Sequence, residues 1–117
     1  MKSVLIVDDA MFIRLCLKAM LAKNGFHVIG EAENGAVAVE KYKALNPDIV
    51  TMDITMPGID GIEALRQIRK INANAKVVMV SAMGQEDMIK KAIMAGAKNF
   101  IIKPFKEDSV IKVLSKL

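Results

Sequence analysis

Five short apolar runs, each followed by a longer amphipathic stretch, limit how this chain folds more than any other feature. Ser3 to Val7 ends at Asp8-Asp9, and Ala10 to Lys23 follows with helical spacing, placing Arg14 and Lys18 on a solvent face and Asn24-Gly25 as the stop. His27 to Ala32 is predicted as strand and Gly35 to Ala44 as helix, and Pro47 precedes a strand over Ile49 to Met52. Pro57-Gly58 and Asp60-Gly61 mark a loop before a helix over Ile62 to Ile71. Lys76 to Val80 reads as a β-branched strand, Gln85 to Ala95 as a helix stopped by Gly96, Asn99 to Ile102 as a strand, and Glu107 to Leu117 as a closing helix.

The order is (βα) five times. Strands alternating with helices at this spacing predict an α/β fold with a parallel sheet covered on both faces, joined by right-handed crossovers. Length allows one domain, 1–117, and 53% apolar with 26% charged residues excludes disorder and a disulfide scaffold. Cys16 is the only cysteine and is expected as a small buried apolar residue of a reduced compartment. No apolar run approaches the ~20 residues of a membrane span, and the N-terminus is too short for a signal peptide, so a cytoplasmic protein without membrane insertion is expected. Of the nine methionines, Met20, Met52, Met79 and Met94 fall at core positions and Met83 and Met88 at surface ones.

In such sheets the working crevice lies beyond the carboxyl ends of the strands. The residues there are Asp8 and Asp9, Glu33 and Asn34, Asp53, Ser81 and Lys103. Three carboxylates from two strands would repel at one edge unless a cation sat among them or protons remained on them. Oxygen donors with no Cys or His nearby suit a hard cation, and so few carboxylates favour Mg²⁺, or Mn²⁺ in its place, over a caged Ca²⁺. Lys103 would offset the acidic charge and Ser81 would add a hydroxyl, which together make a place for a phosphoryl group. A carboxylate there can be the nucleophile, giving an aspartyl phosphate. Singly, each residue has a plainer reading: Asp9 as a helix cap, Ser81 as a turn or cap residue, Lys103 as a solvated strand-end lysine. Their convergence from four strand ends is what favours the phosphoryl site.

Four segments in register carry a resemblance over essentially the whole chain: Val4-Leu5-Ile6-Val7-Asp8-Asp9, Met52 through Gly61, Ser81-Ala82, and Lys103-Pro104-Phe105. They resemble the receiver domains of bacterial and archaeal two-component response regulators, closest to the stand-alone chemotaxis type. The resemblance implies a flavodoxin-like doubly wound five-stranded sheet of order 2-1-3-4-5. It implies Asp53 as phosphoacceptor, and Asp8, Asp9 and Asp53 with the backbone carbonyl of Thr55 as Mg²⁺ ligands. It implies Ser81 and Lys103 as the groups that hold the phosphoryl, a cis bond before Pro104, and Ser81 with Phe100 as the switch. Phe100 lacks a hydroxyl, so steric burial alone would carry that switch.

A histidine kinase is then the phosphodonor, and the chain catalyses only its own phosphorylation and dephosphorylation rather than acting as an enzyme on other substrates. The formal charge of +4 gains a meaning in this frame. Residues 1–75 hold nine Lys+Arg and nine Asp+Glu, whereas residues 76–117 hold eight Lys and four carboxylates, which is the whole excess. Lys90, Lys91, Lys98, Lys106, Lys112 and Lys116 fall in or beside the fourth helix, fifth strand and fifth helix, the usual output face of such domains. A basic face there steers an acidic partner, such as the flagellar motor switch, with a plain solvated lysine face as the alternative. A phosphatase is a further expected partner. Scarce Arg and aromatic residues argue against direct nucleic-acid contact. Receivers joined to winged-helix domains commonly carry Asp-Asp where this chain has Lys98-Asn99, which favours a monomer that stands alone. Two other readings stay open: a receiver from a longer transcriptional or sporulation regulator, and a Mg²⁺-dependent phosphohydrolase working through the same aspartyl phosphate.

Overall fold

In the computed structural model, which describes residues 1–117, five strands and five helices alternate along the chain. They are β1 (Ser3–Val7), α1 (Met11–Lys23), β2 (His27–Ala32), α2 (Gly35–Leu45), β3 (Ile49–Asp53), α3 (Gly61–Ile71), β4 (Val77–Ser81), α4 (Glu86–Met94), β5 (Asn99–Ile102) and α5 (Glu107–Leu114). All four strand pairings are parallel and the sheet order is β2-β1-β3-β4-β5, as the resemblance implies.

The apolar runs split by the period-two rule of a strand, and each half meets its own helices. Leu5, Val7, Val50, Met52, Val77 and Met79 pack with α2, α3 and α4 in the larger of two cores. Their neighbours in sequence, Val4, Ile6, Ile49 and Val78, turn to the other face and pack with Leu17 and Leu21 of α1 and Val110 and Leu114 of α5. A sheet buried on both sides needs near-continuous apolar strands, and that is why β1, β3 and β4 read as runs rather than as alternations.

Helix starts follow local chemistry. Asn34 caps α2 by accepting from Val37 N at 2.9 Å, and Asp60 caps α3 by accepting from Glu63 N at 2.9 Å. Strand and helix ends differ from the sequence reading by one to three residues. β3 and β4 each run one residue further, so that Asp53 and Ser81 are the last residues of their strands. α5 stops at Leu114 because the closing turn tightens, with Lys116 N bonding Val113 O and Leu117 N bonding Leu114 O.

Several side chains lie elsewhere than expected. Met94 is 90% exposed rather than in the core, and Met88 packs against the larger core rather than lying on the surface. Both follow from the phase of α4, which turns Ala92 inward. Cys16 is half-buried rather than buried. Arg14 is not on a wet face: its side chain is only 14% exposed and pairs with Glu31.

Candidate functional site

β1 and β3 are neighbours, so Asp8, Asp9 and Asp53 meet at one sheet edge, with one oxygen from each lying within 4.8 Å of the others. Asp8 is the most firmly held. Its N–H donates to Ala32 O at 3.0 Å, its Oδ1 accepts from Ala10 N at 2.9 Å, and its carbonyl accepts from Arg14 Nη1 at 2.6 Å. Arg14 Nε donates in turn to Glu31 Oε1 at 3.0 Å, which ties α1 and β2 to the turn that carries the acidic pair. Asp9 is exposed and does not cap α1; Ala10 is the capping residue and makes no side-chain cap bond.

Asp53 is buried at the carboxyl end of β3, and the next turn is drawn tightly over it. Gly61 N donates to Ile54 O at 2.7 Å, and a Cβ on Gly61 would stand 2.0 Å from the Asp53 carbonyl oxygen. Only glycine fits there.

Lys103 arrives from the far side of the sheet. Its N–H donates to Ser81 O at 2.7 Å, which joins the ends of β5 and β4. Its Nζ lies 3.5 Å from Asp53 Oδ1 and 2.9 Å from Asp8 Oδ2, close enough for an ion pair but outside hydrogen-bond geometry, so Oδ2 is buried without a hydrogen-bond partner. The plain reading of Lys103 as a solvated lysine therefore does not hold. The Lys103–Pro104 bond is cis. Ser81 is fully buried and its Oγ has no partner, so it serves neither as a cap nor in a turn. Phe100 is 37% exposed on β5, an outward position rather than a core one.

Burial, reinforced by the Asp8 charge, pushes the Asp53 carboxyl up to about 6 against the opposing pull of Lys103. Lys103 is raised as well: burial works against its charge, and the Asp8 and Asp53 carboxylates outweigh that effect. At neutral pH the edge thus holds a mostly ionised Asp53 facing a charged Lys103. The donor set is all oxygen, two of its three members are buried, and one buried carboxylate oxygen, Asp8 Oδ2, has only the Lys103 ion pair and no hydrogen bond. Those features fit Mg²⁺, a hard cation that keeps several waters of its own.

Two further residues belong to this edge. Arg14 was read as solvent-facing because i,i+4 spacing with Lys18 cannot reveal a partner on β2. Gln85, at the predicted start of the fourth helix, accepts from Ala82 N at 2.8 Å through Oε1 and donates from Nε2 to Thr55 Oγ1 at 2.9 Å. No local spacing signals it, because one of its partners lies on the loop after β3 and the other on the loop after β4.

A doubly wound sheet with an acidic pocket and a lysine at its carboxyl edge has the parts that accept a phosphoryl group on a carboxylate, and the family it falls in makes the chain a phosphoacceptor signalling protein rather than a true enzyme. The family model described as the response regulator receiver domain matches residues 4–115, and the chain belongs to that family. It is CheY-like. It is 59% identical to the chemotaxis protein CheY of Bacillus subtilis over 97% of this chain and 94% of that one. It is 58% identical to the chemotaxis protein CheY of Thermotoga maritima over 99% of this chain and 97% of that one. Among solved structures, a chain of the CheX–CheY–BeF₃–Mg²⁺ complex from Borrelia burgdorferi superposes with a TM-score of 0.93 at 43% identity, covering 98% of this chain and 87% of that chain. No helix is long and apolar enough to cross a membrane.

Proposed function

We propose that residues 1–117 form one cytoplasmic receiver domain that carries a chemotactic signal, taking a phosphoryl group from a histidine kinase onto Asp53. The supporting observation is the meeting of Asp8, Asp9, Asp53 and Lys103 from three strands at one edge. Asp53 attacks phosphorus in line; the P–N bond to the kinase histidine breaks as the acyl-phosphate P–O bond forms, and the imidazole leaves. The attacking oxygen must be ionised, and a carboxyl near 6 is mostly so at pH 7. Asp8, Asp9, Asp53 and the Thr55 carbonyl hold the Mg²⁺, which when bound neutralises charge on the phosphoryl oxygens. Lys103 pairs with one of those oxygens, and Ser81 supplies its unused hydroxyl to another.

Ser81 then draws toward the site, and Phe100 turns inward from its exposed position, which alters β5 and the helices beside it. The face so altered carries Lys90, Lys91, Lys98, Lys106, Lys112 and Lys116, all exposed. The proposed receptor for it is the flagellar motor switch, through an acidic contact, and a phosphatase resets the state. The Borrelia burgdorferi relative, which was solved with CheX, supports a further protein partner.

Acetyl phosphate with Mg²⁺, followed by intact-protein mass, tests the central step. Wild type is expected to gain one phosphoryl group and Asp53→Asn none; a wild type that gains nothing, or a variant that gains as much, removes the reading.

A further inference from the structure

Gln85 occupies a place that the phosphorylation chemistry needs. The sheet register sets Asp53 opposite Val80, so Ser81, the last residue of β4, and Ala82 lie past the end of β3, beside the loop that follows Asp53. That loop contains Thr55. One side chain spans the two: Gln85 Oε1 accepts from Ala82 N at 2.8 Å and Gln85 Nε2 donates to Thr55 Oγ1 at 2.9 Å. The same residue begins α4, since Ile89 N donates to its carbonyl at 3.0 Å in the first bond of that helix. As a capping residue it makes no side-chain cap bond, because its amide is committed to the mouth of the pocket.

A phosphoryl group on Asp53 brings three strong acceptor oxygens to this mouth. Ser81 Oγ is there without a partner. The Ala82 N–H is the adjacent backbone donor, and it is already taken.

We propose that Gln85 is a positioning residue that acts as a latch: its amide competes with the phosphoryl group for the Ala82 N–H, and its displacement passes the occupancy of Asp53 to the first turn of α4. The proposal rests on Asp53 being the phosphoacceptor. In the unmodified protein the strap holds the loops after β3 and β4 together and keeps the start of α4 fixed. When an anion takes the Ala82 N–H, Gln85 loses the Ala82 end of its bridge; the exposed bond left from Nε2 to Thr55 is no longer braced from the other side and opens, and the start of α4 is released. The coupling is reciprocal, so a ligand that moves α4 loosens the strap and strengthens anion binding.

Beryllofluoride with Mg²⁺ is a suitable probe because it binds without covalent chemistry. Gln85→Met keeps length and apolar volume but neither hydrogen bond. Loss of two bonds of ordinary strength is expected to tighten beryllofluoride binding about fivefold to a hundredfold. Thr55→Val removes one end of the strap, leaves the backbone carbonyl in place, and should give an intermediate gain of about threefold. Gln85→Glu keeps an acceptor for Ala82 N and adds negative charge, so binding should fall below wild type. By NMR, the Gln85 side-chain amide protons should exchange slowly in the free protein and lose that protection with beryllofluoride as the Ala82 amide shifts. Affinity for Gln85→Met within twofold of wild type or lower, or Gln85 amide protons still protected in the bound state, overturns the latch while leaving Asp53 as acceptor. A wild type that binds no beryllofluoride overturns both.

Discussion

Gly61 stands so close to Asp53 that a Cβ on it would lie 2.0 Å from the Asp53 carbonyl oxygen, inside any allowed contact. The neighbouring bond from Gly61 N to Ile54 O at 2.7 Å fixes the start of α3 against the end of β3. Gly61→Ala must therefore push β3 and α3 apart. A loss of about 1–3 kcal/mol in urea unfolding is expected, typical of forced overpacking. Uptake of phosphoryl from acetyl phosphate should fall further than stability does, because the displaced atoms belong to the acceptor itself. Unchanged uptake in a destabilised variant would mean that the glycine serves packing alone.

The pH dependence of the metal-free protein should carry two opposing signs. Asp53 is raised from 3.8 to about 6, so its contribution to stability is complete below about 4 and is lost as pH rises through about 6. The loss is of order 2 kcal/mol, from a shift of roughly two units at about 1.4 kcal/mol each, trimmed for the part of the field that solvent screens. Asp48, at the opposite end of the sheet, behaves the other way. Ser3 N and Ser3 Oγ donate to its Oδ2 at 2.8 and 3.1 Å and lower its carboxyl, so its contribution is present above 3.8 and disappears as pH falls below. Urea midpoints measured across pH 4 to 8 without Mg²⁺ should decline through the Asp53 window, and Asp53→Asn should flatten that decline. With Mg²⁺ the decline should shrink, since the cation favours the ionised cluster. A wild-type curve parallel to that of the variant would contradict the raised value.

Arg14 links three segments through one guanidinium, donating to Glu31 and to the carbonyl of Asp8. Arg14→Met keeps most of the packing and removes the fork. A carboxylate held less firmly binds metal less well, and loss of such an outer contact costs about 10-fold or more in affinity. Calorimetric titration with Mg²⁺ is expected to show a drop of about that size. Arg14→Lys should not restore it, because an ammonium cannot reach two acceptors in the geometry of a guanidinium. Full recovery with lysine would reduce Arg14 to a local charge.

The architecture and the acidic centre were legible in the sequence because both rest on local patterns. The runs at Ser3–Val7 and Ile49–Met52 announce doubly buried strands, and a parallel sheet delivers the acids that follow them to one place whatever the details of the loops. Orientation within a helix was less legible. Arg14 and Met94 were misplaced because helical spacing assigns a residue to a stripe without saying which neighbour the stripe meets. Gln85 was invisible for a different reason: its two partners, Thr55 and Ala82, sit on other loops, and only the closed sheet makes them adjacent.

The crossing of Lys103 to Asp8 and Asp53 also sets an order in time. The acids are all synthesised within the first half of the chain, and their counter-charge comes from residue 103 of 117. The lysine side of the pocket therefore exists only once β5, the last strand in the chain, has docked at the sheet edge, so the complete set of charges around Asp53 is the last part of the site to be assembled in order of synthesis.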